Sequence, residues 1–490
     1  MRQASYIACD LGAESGRVLL GTLAENRLSL EEIHRFPNGP VSIGATLRWD
    51  VLRIFEELKL GIKMAAGYGA SVAGISCDSW GVDYVLLSGH GPMLTVPYHY
   101  RDPRTDGAME RAFAVVPADE IFEETGIQFM AINTLYQLLA DLQTRPEILE
   151  SADKFLNIGD YFNYLLSGCC VAEESLASTT QLYNPRSRDW SGLLIQRFGL
   201  PEKIFPKLIP SGTPLAGLLP PIASETGVQG ARVIAGCSHD TAAAVAAVPV
   251  QNEDWAYLSS GTWSLLGIEA PKPIIGPKSR LYNFTNEAGF GGTSRFLKNI
   301  VGLWVVQECR REWARQGREF GYPELTAMAE ECAPLRSFID PTRPEFLKPD
   351  RMPQKIAEYC RATGQPVPET PGEVIRCALE SLALVYRRTL EQLGDASGKK
   401  TEVLHIVGGG SRNHLLNQLA ANATRMRVQA GPGECTGIGN VIVQAIALGH
   451  LPSLAAGRGI VCNSFPTVLY EPEGGSAWEE AYRRFSTLIL

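Results

Sequence analysis

The same short pattern appears twice in this chain. Tyr6-Ile7-Ala8-Cys9 is apolar, Asp10-Leu11-Gly12-Ala13-Glu14-Ser15-Gly16 is turn-like, and Arg17-Val18-Leu19-Leu20-Gly21 is apolar again. Much later, Trp255-Ala256-Tyr257-Leu258, Ser259-Ser260-Gly261 and Thr262-Trp263-Ser264-Leu265-Leu266-Gly267 repeat the logic, down to the closing Leu-Leu-Gly. Apolar runs bounded by small polar turns read as β-hairpins. A chain that uses one hairpin design twice is expected to have two similarly built α/β halves. At roughly 100–200 residues per domain, 490 residues leave room for this. Pro249 and the polar run Gln251-Asn252-Glu253-Asp254 mark the boundary, giving domains 1–248 and 249–490.

Other elements follow from periodicity. A strand pair is expected at 73–76 and 82–87, split by Asp78-Ser79-Trp80-Gly81. Residues 105–200 are helix-rich, with a clear helix over 160–166. Arg232-Val233-Ile234-Ala235-Gly236 is a short strand leading into Ser238-His239-Asp240 and the alanine-rich helix 241–247. Ile300, Val301, Trp304, Val305 and Cys309 follow helical spacing. Val403–Val407 is a strand, Gly408-Gly409-Gly410 a turn, and 413–423 a helix.

Composition excludes several classes. Apolar residues are 45% and charged residues 20%, ordinary for a globular protein. No apolar run reaches the roughly 18 residues of a spanning helix. Asp10 interrupts the start before a signal-peptide core can form, so a cytoplasmic protein without a membrane partner is expected. The net charge of −8 argues against a nucleic-acid partner. The eleven cysteines include no zinc-type cluster. Reduced thiols are the default reading, with a Cys360–Cys377 bridge as the alternative. The P-loop, the G-x-S-x-G elbow and H-E-x-x-H are all absent.

Four segments remain for chemistry. In the turn Asp10–Arg17, small residues can expose successive N–H groups to phosphate oxygens, and Asp10 could hold Mg²⁺. An ordinary hairpin explains the same residues. Ser259–Thr262 offers hydroxyls and a glycine, with the same ambiguity. Gly408–Gly410 suits either close ligand approach or a tight strand-to-helix connection. Asp240 is either a general base or a helix N-cap, since Asp is a preferred capping residue. Taken together, two phosphate-facing hairpins, a glycine turn and a carboxylate describe how a chain without a P-loop could hold Mg-ATP.

With these residues in view, the chain resembles the FGGY carbohydrate kinases of the actin-like ATPase superfamily. The resemblance is carried by Asp10–Arg17, Asp78-Ser79-Trp80-Gly81-Val82-Asp83, Tyr100-Arg101-Asp102, Ser238-His239-Asp240-Thr241, Leu258–Trp263, Leu297-Lys298-Asn299 and Val407–Gly410. It implies a two-domain actin-like (ribonuclease H-like) fold, each domain a mixed sheet flanked by helices, with ATP in the interdomain cleft. It also implies transfer of the γ-phosphoryl of ATP to a sugar hydroxyl. The segments at 78–83 and 100–102 lie on the family's sugar side and point to the 1-hydroxyl of L-rhamnulose. The alternatives are another ketose, L-fuculose or ribulose, or a non-kinase actin-like ATPase.

The resemblance further implies roles at matching positions. Asp240 would accept the sugar hydroxyl proton. Gly81, His239, Asp240, Thr241 and Asn299 would contact sugar. Ala13, Glu14, Ser15, Gly16, Arg17, Thr262, Gln307 and Gly409 would contact ATP, and Asp10 would hold Mg²⁺ through water. Glu14 departs from the small polar residue usual at its position. The partners implied are small molecules, with the protein a monomer or homodimer.

Overall fold

The computed structural model describes residues 3–69, 71–89, 91, 93–250 and 253–488. Gln251 and Asn252 of the expected boundary lie outside the described residues. The chain divides into two compact units. The first is Met1–Pro249 with Glu269–Phe296 and Cys435–Ser464, and the second is Val250–Ile268 with Leu297–Glu434 and Phe465–Leu490. The first unit therefore takes in two segments from beyond the boundary that composition suggests.

The first unit is built on β1 (Ala4–Leu11), β2 (Ser15–Ala24), β3 (Arg27–Pro37), β4 (Val72–Ser79), β5 (Thr213–Gly217) and β6 (Arg232–Ala235). They form one mixed sheet in the order β5-β6-β4-β1-β2-β3. β1 runs antiparallel to β2 and parallel to β4. Tyr6, Ile7, Ala8 and Cys9 of β1 are all buried, as the unbroken apolar run of a strand covered on both faces requires. The helix α1 (Val51–Ala66) buries Val51, Ile54, Leu58, Ile62 and Ala65, one stripe at helical spacing, and is capped by Asp50. Its Gly61 lies against Val18, whereas Gly437 of the helix Cys435–Ala447 lies against Leu19. Neighbouring strand residues point to opposite faces, so these two helices cover the two sides of the sheet. The helices α2 (Ile158–Ser167) and α3 (Asp240–Ala246) also pack on β4.

The second unit repeats the arrangement. Its strands are β7 (Trp255–Ser260), β8 (Trp263–Ala270), β9 (Val403–Val407), β10 (Arg427–Ala430) and β11 (Val468–Tyr470). They run in the order β8-β7-β9-β10-β11. β7 is antiparallel to β8 and parallel to β9, which reproduces the β2-β1-β4 relation. The helices α4 (Trp304–Arg315), α5 (Pro371–Ser397) and α6 (His414–Thr424) belong to this unit, and α5 packs on α6. The sequence echo is thus a topological one.

Two local expectations need correction. The strand Tyr84–Leu87 does not pair with β4. It pairs antiparallel with Lys154–Asn157, because the chain turns through Trp80–Asp83 in between. Ile300 and Val301 are not helical either and end the strand Ser294–Val301, with α4 starting only at Trp304. A strand buried on both faces carries consecutive apolar residues, and these can mimic helical spacing. All eleven cysteines are free thiols. Among the described residues, no helix is long and apolar enough to cross a membrane.

Candidate active site

β1 and β4 end side by side. Their parallel register sets Cys9 opposite Cys77 and Asp10 opposite Asp78, so two carboxylates share one face at the strand ends. Asp78 is fully buried. Its Oδ2 accepts from Asn440 Nδ2 at 2.6 Å, and its Oδ1 has no hydrogen-bond partner. Burial, reinforced by the charges of Asp10 and Asp240, holds the Asp78 carboxyl well above the usual carboxylate range. Asp10 is ion-paired with Arg17, its register partner on β2. Arg17 also lies 3.9 Å from Glu32.

The segment before α3 is anchored by backbone contacts. Ser79 N donates to Ser238 O at 2.8 Å, and Ser79 and His239 form a parallel bridge. Glu173, fully buried, accepts from Ser238 N at 3.0 Å and from Ser175 N at 2.9 Å. Ser175 Oγ in turn accepts from His239 N at 3.0 Å. These bonds fix the path of residues 238–239 and so the point from which Asp240 projects.

Asp240 is not the N-cap. His239 occupies that position, and Asp240 is the first helical residue. The Asp240 Oδ1 accepts from Thr241 N at 2.5 Å and Thr241 Oγ1 at 3.1 Å, with His239 Nε2 at 3.3 Å. Oδ2 accepts no hydrogen bond from the described residues, and the side chain is 31% exposed. Burial raises the carboxyl above its ordinary range, His239 opposes that, and Asp10 adds to it. One oxygen is tied in place and the other is open. A general base needs this arrangement, because its accepting oxygen must reach the proton while its orientation stays fixed.

The other expected residues fall into two groups. In the first unit, the turn after β1 is closed by Gly12 N donating to Ser15 O at 3.0 Å and braced by Asn38 Nδ2 donating to Gly12 O at 2.9 Å. Glu14 is exposed in this turn, with Ala13 and Ser15 half-buried. Gly16 lies beneath Phe36, where a Cβ would sit 2.2 Å from the ring. Packing therefore accounts for this glycine. Gly81 lies against Thr179, whose Oγ1 accepts from Val82 N at 3.1 Å. Asp83 links the two segments assigned to sugar. Its Oδ2 accepts from Trp80 Nε1 at 3.0 Å, Tyr100 N at 3.2 Å and Trp49 Nε1 at 2.6 Å. Its Oδ1 accepts from Gln137 Nε2 at 2.9 Å. Burial pushes the Asp83 carboxyl up to about 6 despite these donors.

Thr262, Asn299, Gln307 and Gly409 belong to the second unit. Thr262 O accepts from Gly302 N at 3.1 Å and Trp304 N at 3.2 Å, so the hairpin turn is tied to the start of α4. Gln307, on α4, has a buried Oε1 without a partner. Asn299 is half-buried on the strand Ser294–Val301. The glycine turn separates into two kinds of position. Gly408 has φ +82°, and a Cβ on Gly410 would sit 2.0 Å from Ser260 Oγ. A Cβ on Gly409 would meet nothing within 4 Å. Internal packing demands glycine at the flanks but not at Gly409, where a side chain would point into open space.

Some residues of the site escaped the sequence reading. Asp78 stands in a quoted motif without a role, although β1 and β4 both carry Cys-Asp just before their last residue. Glu173 and Asn440 carry no local signal, because each meets this cluster only through a partner distant in the chain.

The comparisons agree with this architecture. Residues 6–247 match the N-terminal domain of the FGGY family of carbohydrate kinases, and residues 256–448 match its C-terminal domain. The chain belongs to the FGGY family of carbohydrate kinases. It is 44% identical to a rhamnulokinase of Bacteroides thetaiotaomicron over 99% of both chains. It is 41% identical to one of Enterococcus faecalis, covering 95% of this chain and 94% of that one. The fold is similar to that of a xylulose kinase from Lactobacillus acidophilus, with a TM-score of 0.80 at 16% identity over 99% and 97% of the two chains. A Plasmodium falciparum glycerol kinase gives a TM-score of 0.78 at 14% identity over 99% and 98%. The chain is a two-domain α/β sugar kinase.

Proposed function

We infer that this chain transfers the γ-phosphoryl group of ATP to the 1-hydroxyl of L-rhamnulose, giving L-rhamnulose 1-phosphate and ADP in L-rhamnose catabolism. Full-length relatives named rhamnulokinase support the substrate. The observation that carries the mechanism is the open Oδ2 of Asp240 beside an Oδ1 that accepts from Thr241 N and Thr241 Oγ1. Phosphoryl transfer is mostly positioning and charge stabilisation. Oδ2 takes the hydroxyl proton as the sugar oxygen attacks, while His239, Thr241, Gly81 and Asn299 hold the sugar. Residues Ala13–Arg17 and Thr262 face the phosphates, with Gln307 and Gly409 on the nucleoside.

The residues present fit Mg²⁺. Asp10 and Asp78 offer hard oxygen donors on one face, one of them an unpartnered Oδ1. Among the described residues, no group of three acidic, His or Cys side chains could hold a metal alone. That suits an ion held by one or two carboxylates plus substrate phosphates and water. When bound, Mg²⁺ would neutralise phosphate charge. The enzyme is read as cytoplasmic, a monomer or homodimer, with family domains over 1–248 and 249–490 of the sequence. The test is ADP release from Mg-ATP with L-rhamnulose, L-fuculose, L-ribulose, D-xylulose, glycerol or no sugar. Stimulation by L-rhamnulose above the rest is expected, and turnover indifferent to sugar would overturn the reading.

A further inference from the structure

His239 has a charged pair behind it. Arg295 is fully buried. Its Nη2 donates to His239 Nδ1 at 3.1 Å and lies 3.0 Å from Glu287 Oε2. That carboxylate oxygen is itself 3.3 Å from Nδ1. Arg295 Nε donates to Ala288 O at 3.1 Å, which fixes the plane of the guanidinium. On the other edge of the ring, Nε2 is 3.3 Å from Asp240 Oδ1.

A guanidinium has only donors. The Nδ1 that meets it must present a lone pair, so the ring proton belongs on Nε2, facing Asp240. Glu287 supplies the countercharge without which a fully buried Arg295 would be prohibitively costly. The opposite tautomer would turn an Nδ1–H toward the guanidinium and an Nε2 lone pair toward a carboxylate oxygen. The first would forfeit the Arg295 Nη2 hydrogen bond and the second would be repulsive, whereas the only contact it would improve is the longer one to Glu287 Oε2 at 3.3 Å, which is not a hydrogen bond.

We propose that Arg295, with Glu287 as its countercharge, is a positioning residue that locks His239 as its Nε2–H tautomer, so that this N–H faces the Thr241-bound Oδ1 of Asp240 and leaves Oδ2 as the proton-accepting oxygen. The proposal rests on Asp240 being the base. Arg295 and Glu287 touch neither substrate. They act through His239.

The first arm of the test is a long-range ¹H–¹⁵N spectrum of the whole protein labelled with ¹⁵N-histidine. The seven histidines are sorted by comparison with a His239→Gln sample. A pyridine-type Nδ1 and a pyrrole-type Nε2 are expected at His239. A pyrrole-type Nδ1 overturns the proposal whether or not Asp240 is the base, and this result needs no variant of the buried pair to fold. The second arm is Arg295→Met. It should move the His239 proton toward Nδ1 and lower kcat about 10–100-fold, the cost of a misaligned catalytic group, with KM for Mg-ATP nearly unchanged. Glu287→Gln keeps the guanidinium and should keep the tautomer, with a smaller kcat loss. A folded Arg295→Met protein with the native tautomer, or with an altered tautomer and native kcat, overturns the proposal. Asp240→Asn with native turnover would sink the base assignment and leave the tautomer result standing.

Discussion

The two hairpin turns share a sequence logic but are built on different physics. The turn after β1 closes on hydrogen bonds from Gly12 and Asn38, and charge gathers at its base. Asp10 pairs with Arg17, Asp78 sits buried in the next strand, and Asp240 adds to their field. The turn after β7 is held by backbone hydrogen bonds to Gly302, Leu303 and Trp304, and by steric fit between Ser260 and the glycine turn. The first unit therefore gathers the buried carboxylates whose titration burial shifts upward. At the second turn, shape and backbone hydrogen bonding do the same work.

The sharpest way to break this comparison is Asp240→Asn, nearly isosteric with the native residue. A positioned base contributes about 10²–10⁴ in rate, so kcat should fall by at least that order while ATP affinity holds. Near-native ADP release with L-rhamnulose would remove the chemical half of the contrast.

The next largest effect is in pH. Asp83 titrates near 3.8 when unfolded and at about 6 in the folded protein, so the folded state binds the extra proton between those values. Its contribution is full below pH 3.8 and is lost as pH rises through 6, by about 3 kcal/mol. The stability of the native protein relative to Asp83→Asn should thus decline from pH 4 to 7 in urea titrations. A pH-independent difference would show that the carboxylate is not held as described.

Smaller effects separate charge from shape. Arg17→Met leaves Asp10 without its ion-pair partner and should cost about 1–3 kcal/mol of stability, readable in thermal unfolding. Gly410→Ala should cost a similar amount through overpacking against Ser260. Gly409→Ala, whose Cβ meets open space, should leave the melting temperature alone and raise KM for ATP a few-fold, roughly 1 kcal/mol of binding. If Gly409→Ala melts early with normal KM, the glycine turn is a packing device and the nucleoside assignment falls.

Much of the fold was legible in the chain. The apolar run Tyr6–Cys9 and its echo at Trp255–Leu258 announced two hairpins, because a strand covered on both faces must be apolar throughout. The resemblance carried the family and its N- and C-terminal domains. The errors arose where one local pattern serves two structures. Ile300 and Val301 keep helical spacing with Trp304 yet end a strand, and Tyr84–Leu87 found its partner at Lys154–Asn157.

The residues by themselves determined the hairpins, the glycine turn, the absence of a P-loop and the identity of the carboxylate beside His239. Their periodicity and chemistry are local, and local patterns survive in one dimension. Only the tertiary structure decided which oxygen of Asp240 is free, that Asp10 lies opposite Asp78, and that Arg295 and Glu287 stand behind His239. Those facts depend on strand register and on contacts between residues far apart in the chain. Burial then gives such contacts their strength, because a charge removed from water must find its partner inside the fold.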